Sequence, residues 1–217
     1  MLYQLINSRQ VLSFFYPLVD ANLCIHCNLC EKVCPLISKV NRPSPLLMVE
    51  AVTSKSVEEV KLSSSGAVCH ELSHYFIARK GVVYGAAWTN GFVVRHIRVT
   101  IKTDLERIRY SKYLQSQIGD TFKMIKADLA SNKEVLFIGT PCQVAGLKCY
   151  LRKDYENLVT VDFVCHGIPS QAVFNRIITD IEKRNGSMVK GVNFRSKKES
   201  WREYGTELHM QNGENIY

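Results

Sequence analysis

The sequence predicts an α/β protein, with α+β as the alternative, in which a small cysteine-rich module precedes a larger domain on a mostly parallel sheet. Two observations predict this. Four of the eight cysteines fall at Cys24, Cys27, Cys30 and Cys34. Beyond Ser63, short apolar runs alternate with stretches whose apolar residues recur at helical spacing, the pattern of repeated strand–loop–helix units.

Residues 1–19 form an N-terminal extension. Its apolar patch from Val11 to Tyr16 is short and lacks a small-residue cleavage site, so it is not read as a secretory signal. Nothing approaches the eighteen or so apolar residues of a membrane span. Residues 20–38 hold the cysteines. They read C-x2-C-x2-C-x3-C-P, ending at Pro35, which is the ligand spacing of a bacterial-type 4Fe–4S run. A structural zinc site more often splits its cysteines into two distant pairs. In two-cluster ferredoxins the fourth cysteine serves the other cluster, and no second run follows here. Cys34 therefore joins the same cluster, joins one completed by distant cysteines, or stands idle. His26, between the ligands, is read as a loop residue.

Residues 39–62, with Pro43, Pro45 and the charged stretch Lys55–Lys61, read as a linker. Residues 63–217 form the α/β domain. Ser63, Ser64, Ser65 and Gly66 precede a helix over Val68–Ala78. The serines are expected to cap that helix, and its first amides offer an anion site. Strands are expected over 81–87 and 92–100, and a helix over 120–130. The strand 134–138 breaks at Gly139-Thr140-Pro141-Cys142-Gln143, followed by a helix to Leu151. The strand 158–164 breaks at Cys165-His166-Gly167, followed by a helix over 169–184. The two loops, and so Cys142 and Cys165, should meet at the carboxyl ends of neighbouring strands, where such sheets gather ligands. Each cysteine can be a nucleophile, a redox thiol, a cluster ligand, or only a small residue at a turn. Cys69 and Cys149 lie in helices and read as packing residues. Asn212-Gly213 marks a hairpin that stops in mid-strand, which reads as a C-terminal truncation.

The net charge is +8, and hydrophobic residues make up 46% of the chain, so a real core is expected. A cubane held by four thiolates carries about −2, which leaves the loaded protein basic. No helix-turn-helix, zinc-finger or RNA-binding motif accompanies that charge, so no nucleic-acid partner is expected. An anionic cofactor, an acidic redox partner, or a merely solvated surface accounts for it. Clustered rather than framework-spaced cysteines argue for a reducing, cytoplasmic setting.

Five segments, in order, resemble the beta subunit of coenzyme F420 hydrogenase/dehydrogenase, especially its bacterial relatives often associated with polysaccharide gene clusters. They are 24–35, Ser63–Gly66, Ser111-Lys112-Tyr113-Leu114-Gln115-Ser116, Gly139 to Leu147, and Asp162 to Ser170. Phe194-Arg195-Ser196-Lys197 and Trp201 fit as well. The resemblance implies an iron–sulfur flavoprotein oxidoreductase subunit with a flavin-binding-type domain. Such a subunit relays electrons between a 4Fe–4S cluster and FAD, with the deazaflavin coenzyme F420 or another hydride carrier as partner, alongside other oxidoreductase subunits. It further implies that Ser63–Gly66 hold the FAD pyrophosphate, that Lys112 pairs with phosphate or the flavin unless it is a surface lysine, that Gln115 and Gln143 bond the isoalloxazine or stay structural, that Gly139 and Thr140 belong to the same cofactor site, and that Cys142 and Cys165 complete a cluster. Three departures stand against it. There is no second cysteine run, Ala67 replaces a second glycine after the serines, and the family extends well past residue 217. A non-enzymatic ferredoxin-like module and a zinc-binding module are the competing readings.

Overall fold

The computed structural model describes residues 6–11, 14–37, 48–198, 200 and 202–217. Trp201, Ser38 at the end of the cysteine module and residues 39–47 of the expected linker lie outside the described residues.

The chain opens with a hairpin, β1 (Ile6–Val11) and β2 (Phe14–Val19), paired antiparallel with each other. Sequence reading assigned no structure here. The cysteine loop follows and contains one short helical turn, α1 (Leu29–Lys32). The linker reading needs correction at its end. Val57–Lys61 form a helix, α2, because Ser56 accepts from the Glu59 N–H and so supplies a side-chain cap.

Helix α3 (Val68–Ala78) matches its expected bounds, but its start does not match the expected chemistry. The N-cap is Ala67 in the left-handed region (φ 65°), with no side-chain cap. The serines are used elsewhere, as described below. Gly81 then turns the chain into β3 (Val82–Thr89). A Cβ at Gly81 would stand 2.8 Å from the Phe76 carbonyl oxygen and 2.9 Å from that of Glu134. Only glycine lets helix and strand approach this closely.

β3 pairs antiparallel with β4 (Val93–Val99) and parallel with β5 (Val135–Gly139), which pairs parallel with β6 (Leu158–Asp162). The strand order is β4-β3-β5-β6, so the sheet is mixed rather than wholly parallel. Between β4 and β5 lie a short turn, α4 (Leu105–Ile108), and helix α5 (Thr121–Ala130). Helix α6 (Pro141–Leu151) carries the crossover from β5 to β6.

Strand alternation builds two cores from one sheet. Val82, Tyr84, Val135 and Phe137 pack with Ile125 and Leu129 of α5 and Leu147 and Leu151 of α6. The intervening Val83 and Leu136 pack with Phe76 of α3 and Leu105 of α4. Each is nearly or wholly buried. A third core forms where α7 (Gln171–Asn185) sets Phe174 and Ile178 against a separate antiparallel sheet of β7 (Val189–Ser196), β8 (Gly205–Met210) and β9 (Asn215–Ile216). The expected Asn212-Gly213 hairpin joins β8 to β9, with Gly213 at φ 89°. No described helix is long and apolar enough to cross a membrane.

Candidate functional site

The five segments singled out in the sequence are far apart along the chain, and the fold ties three of them together. The Ser64 hydroxyl accepts the Ser111 N–H at 2.9 Å, which fastens the serine loop to segment 111–116. The Gln143 amide donates from Nε2 to the Ser116 carbonyl at 3.3 Å, which fastens that segment to the β5–α6 loop. Tyr113 packs on Phe194, ring centroids 5.3 Å apart, which brings in the Phe194–Lys197 motif. Segment 111–116 is thus the hub. Its continuation runs beside β4, where His96 N–H bonds the Gln117 carbonyl and Gln117 N–H bonds the Val94 carbonyl.

Sequence reading missed the group beneath this hub. His96 is buried, stacks on Phe137, and has both ring nitrogens engaged. Nε2 lies 3.0 Å from the Ile138 carbonyl and Nδ1 lies 2.8 Å from the Ser116 hydroxyl. A carbonyl can only accept, so Nε2 carries the proton and Nδ1 accepts from Ser116. Burial holds its pKa down at about 4, so the ring is neutral near pH 7. The only signal was a histidine two positions from Val94, on the same face of a strand that also carries Arg95 and Arg98.

Lys112 neither lies loose on the surface nor reaches out toward an anion. Its ammonium donates to the carbonyls of Arg107 in the last turn of α4 and of Arg109 and Tyr110 just beyond it. Burial lowers its pKa to about 7. Thr140 and Gln143 form a capping box at the start of α6, with Gln143 Oε1 accepting the Thr140 N–H at 3.0 Å. Both polar ends of Gln143 are therefore engaged within the fold. By contrast, Ser63 Oγ and Gln115 Oε1 are buried without a hydrogen-bond partner. Orphaned polar atoms of this kind call for an explanation, and a bound polar cofactor supplies one. Ser65 is exposed beside them.

A cleft of about 470 Å³ opens next to the serine loop. Lys61 and Leu62, Tyr110, and Asn193, Arg195 and Lys197 line it. Neither Ser63–Gly66, Lys112 nor residues 139–143 are among its lining residues. Arg109 holds the floor in place. It is buried and bonds Glu59, Glu106 and the Leu62 carbonyl, so it ties together α2, α4 and the chain just before the serines.

Cys142 and Cys165 follow the carboxyl ends of the adjacent parallel strands β5 and β6, as the repeat of strand and helix requires. Both are exposed and free. Cys142 Sγ lies 3.1 Å from the Thr140 hydroxyl. In the N-terminal loop, Cys24, Cys30 and Cys34 are half-buried and Cys27 is exposed, and none is in a disulfide. His26 and Asn28 adopt left-handed backbone, which lets the loop curl between its cysteines. Among the described residues no three His, Cys, Asp or Glu side chains stand together as a ready metal cage. The donor set itself is four soft, accessible thiols in one loop, which suits an iron–sulfur cluster.

Residues 132–215 match the family model described as the C terminus of the coenzyme F420 hydrogenase/dehydrogenase beta subunit. This match covers well under half of the chain, and the likeness to the family is to that part alone. Residues 16–41 match the model of a 4Fe–4S binding domain, which takes in all four cysteines of the first run. Among solved structures, a chain of the F420-reducing [NiFe] hydrogenase complex from Methanosarcina barkeri, studied by xenon derivatization, is similar in fold. The TM-score is 0.53 and the identity 19%, over 76% of this chain and 57% of that one. The chain thus spans little more than half the length of that relative. A search of curated proteins found no match. The match at 132–215 takes in the β5–α6 loop, Cys165 and Arg195, while the serine loop and segment 111–116 lie outside it. The hydrogen bonds from Ser64 and Gln143 are what bind those segments to the part that matches the family model.

Proposed function

We propose that this chain is a cytoplasmic iron–sulfur flavoprotein subunit. It passes electrons between a 4Fe–4S cluster and FAD, with coenzyme F420 or another hydride carrier at the far end and other oxidoreductase subunits as partners. The observation that carries the proposal is the cysteine run at 24–34 within a 4Fe–4S domain match, followed in the same chain by the beta-subunit family match. Cys24, Cys27, Cys30 and Cys34 are the cluster ligands, with Cys142 and Cys165 as the candidates for a second ligand group. Ser63–Gly66 and segment 111–116 border the flavin. The buried, unpartnered Ser63 Oγ and Gln115 Oε1 are the atoms a flavin's polar edge would satisfy. Bound FAD supplies conversion between a hydride and single electrons. The protein's own part is to supply donors and keep His96 neutral behind the hub.

Anaerobic reconstitution tests this. Iron and acid-labile sulfide should bind, with broad visible absorbance that bleaches on reduction, and FAD should bind in titration. Cys27→Ser should lose the iron, whereas Cys69→Ser should keep it, because burial holds the Cys69 thiol protonated. Stoichiometric zinc without iron or sulfide would overturn the cluster reading. Absence of flavin binding would leave the ferredoxin-like, non-enzymatic reading in its place.

A further inference from the structure

The cysteine module carries one ligand run whose last member belongs to a paired arrangement. In the spacing C-x2-C-x2-C-x3-C-P of two-cluster ferredoxins, the fourth cysteine ligates the other cluster rather than its own. Here the run ends at Cys34-Pro35, and Cys69, Cys142, Cys149 and Cys165 do not repeat the spacing. The fold also sets Cys34 apart from the first three. Cys24 and Cys27 lie in the loop before α1 and Cys30 lies within it, whereas Cys34 lies beyond its end, with its N–H on the Glu31 carbonyl. Pro35 has no N–H with which to carry the helix on. Among the described residues no three of these thiols stand together as a cage, so the loop of one chain does not by itself bring the ligands to a common point.

The surface around Cys34 is apolar and open. Leu36 is 94% exposed and Ile37 65%. Leu18, Leu23 and Ile25, on the approach to the run and inside it, are each more than half exposed. The hairpin leading into the run is a two-stranded sheet in which β1 and β2 pair with each other. Such a sheet is marginal in water unless something packs on it. Exposed apolar groups gathered on so small a module mark an interaction surface. The occupant has to bring a thiolate placed as Cys34 is placed, and an apolar rim of the same kind. A second copy of this chain has both. A two-fold axis makes the exchange reciprocal, because an isologous contact presents the same patch from each side.

We propose that two copies of this chain join through their cysteine modules, each giving Cys34 to the cluster held by Cys24, Cys27 and Cys30 of the other. Two half-modules then make one two-cluster module, and the apolar groups beside Cys34 are covered by the same contact. The proposal rests on the iron–sulfur reading above and adds to it the source of the fourth ligand.

The test mixes two full-length variants during anaerobic reconstitution. Cys34→Ser keeps the first three thiols of the run. The triple variant Cys24→Ser, Cys27→Ser, Cys30→Ser keeps only the fourth. Alone, neither should hold a four-iron cluster. Mixed, and isolated as a pair through two different tags, they should regain about one four-iron cluster per pair by iron and sulfide content, half that of the wild type. Light scattering should show the iron-loaded wild type as a dimer. That dimer should survive Cys142→Ser combined with Cys165→Ser. Ligation within one chain gives no regain in the mixture, and that result overturns the proposal. Loss of the dimer in the Cys142 and Cys165 double variant would place the fourth ligand in the sheet domain and overturn it as well. If the wild type loads a four-iron cluster as a monomer, the iron–sulfur reading stands and the proposal falls. If it binds no iron or sulfide, both fall together.

Discussion

Asp128 shows how much a single buried carboxylate can organise. It accepts from the Tyr84 hydroxyl at 2.6 Å, from Arg98 at 2.7 and 2.9 Å, and from Lys133 at 3.1 Å. Burial alone would raise its pKa, but hydrogen bonds from Arg98, Tyr84 and Lys133 outweigh it and hold the group at about 2. A folded pKa below the ordinary 3.8 means the stabilisation is complete above 3.8 and is lost as pH falls from there toward 2. His96 acts in a higher window. Its ring stays neutral down to about pH 4, while the unfolded chain takes up that proton near 6.5, so stability declines between 6.5 and 4. Urea midpoints should therefore fall in two stages on acidification. In Asp128→Asn the lower stage should be missing, and stability at pH 7 should drop by about 3 kcal/mol, because three donors lose their charged acceptor. A variant as stable as wild type would show that the network contributes nothing. None of this network was legible in the sequence, since Tyr84, Arg98 and Asp128 are distant and belong to no motif.

At the scale of elements the sequence was most informative where periodicity and breakers agreed. Val68–Ala78 and Val135–Gly139 lie close to where spacing put them. The Gly139-Thr140-Pro141 break became a capped helix start with proline in its first turn, which its residue types favour. What was illegible came from chemistry that acts at short range. The Ser56 cap made a helix of part of the expected linker, and the serines before α3 capped nothing, because Ser64 was already holding Ser111. Gly81 is the position where an element boundary depends on one residue. Gly81→Ala should cost about 1–3 kcal/mol, because both clashing atoms are backbone carbonyls that cannot swing aside. Chemical denaturation would measure it, and a neutral result would mean that α3 and β3 can separate freely.

Across the whole molecule, the split into a cysteine module and a sheet domain was legible because the two obey different rules. Thiol spacing declares the first, and apolar periodicity the second. The site between motifs was not legible, because Ser64–Ser111, Tyr113–Phe194 and Lys197–Val60 are contacts between residues 47 or more positions apart. The same split predicts separable stabilities. Cys27→Ser should abolish iron binding yet leave the far-UV unfolding midpoint within about 2 °C, since the change lies outside all three cores. A large fall would show that the cluster holds the sheet domain together. Gln143 has a further consequence. Its amide is shared between the first turn of α6 and the Ser116 carbonyl, so it works as a single fastener through two plates. Drawing segment 111–116 inward around a ligand should tighten the turn that carries Cys142, and releasing it should loosen that turn. Backbone amides at Thr140 and Gln143 should then exchange with solvent in step with occupancy of a place they do not touch.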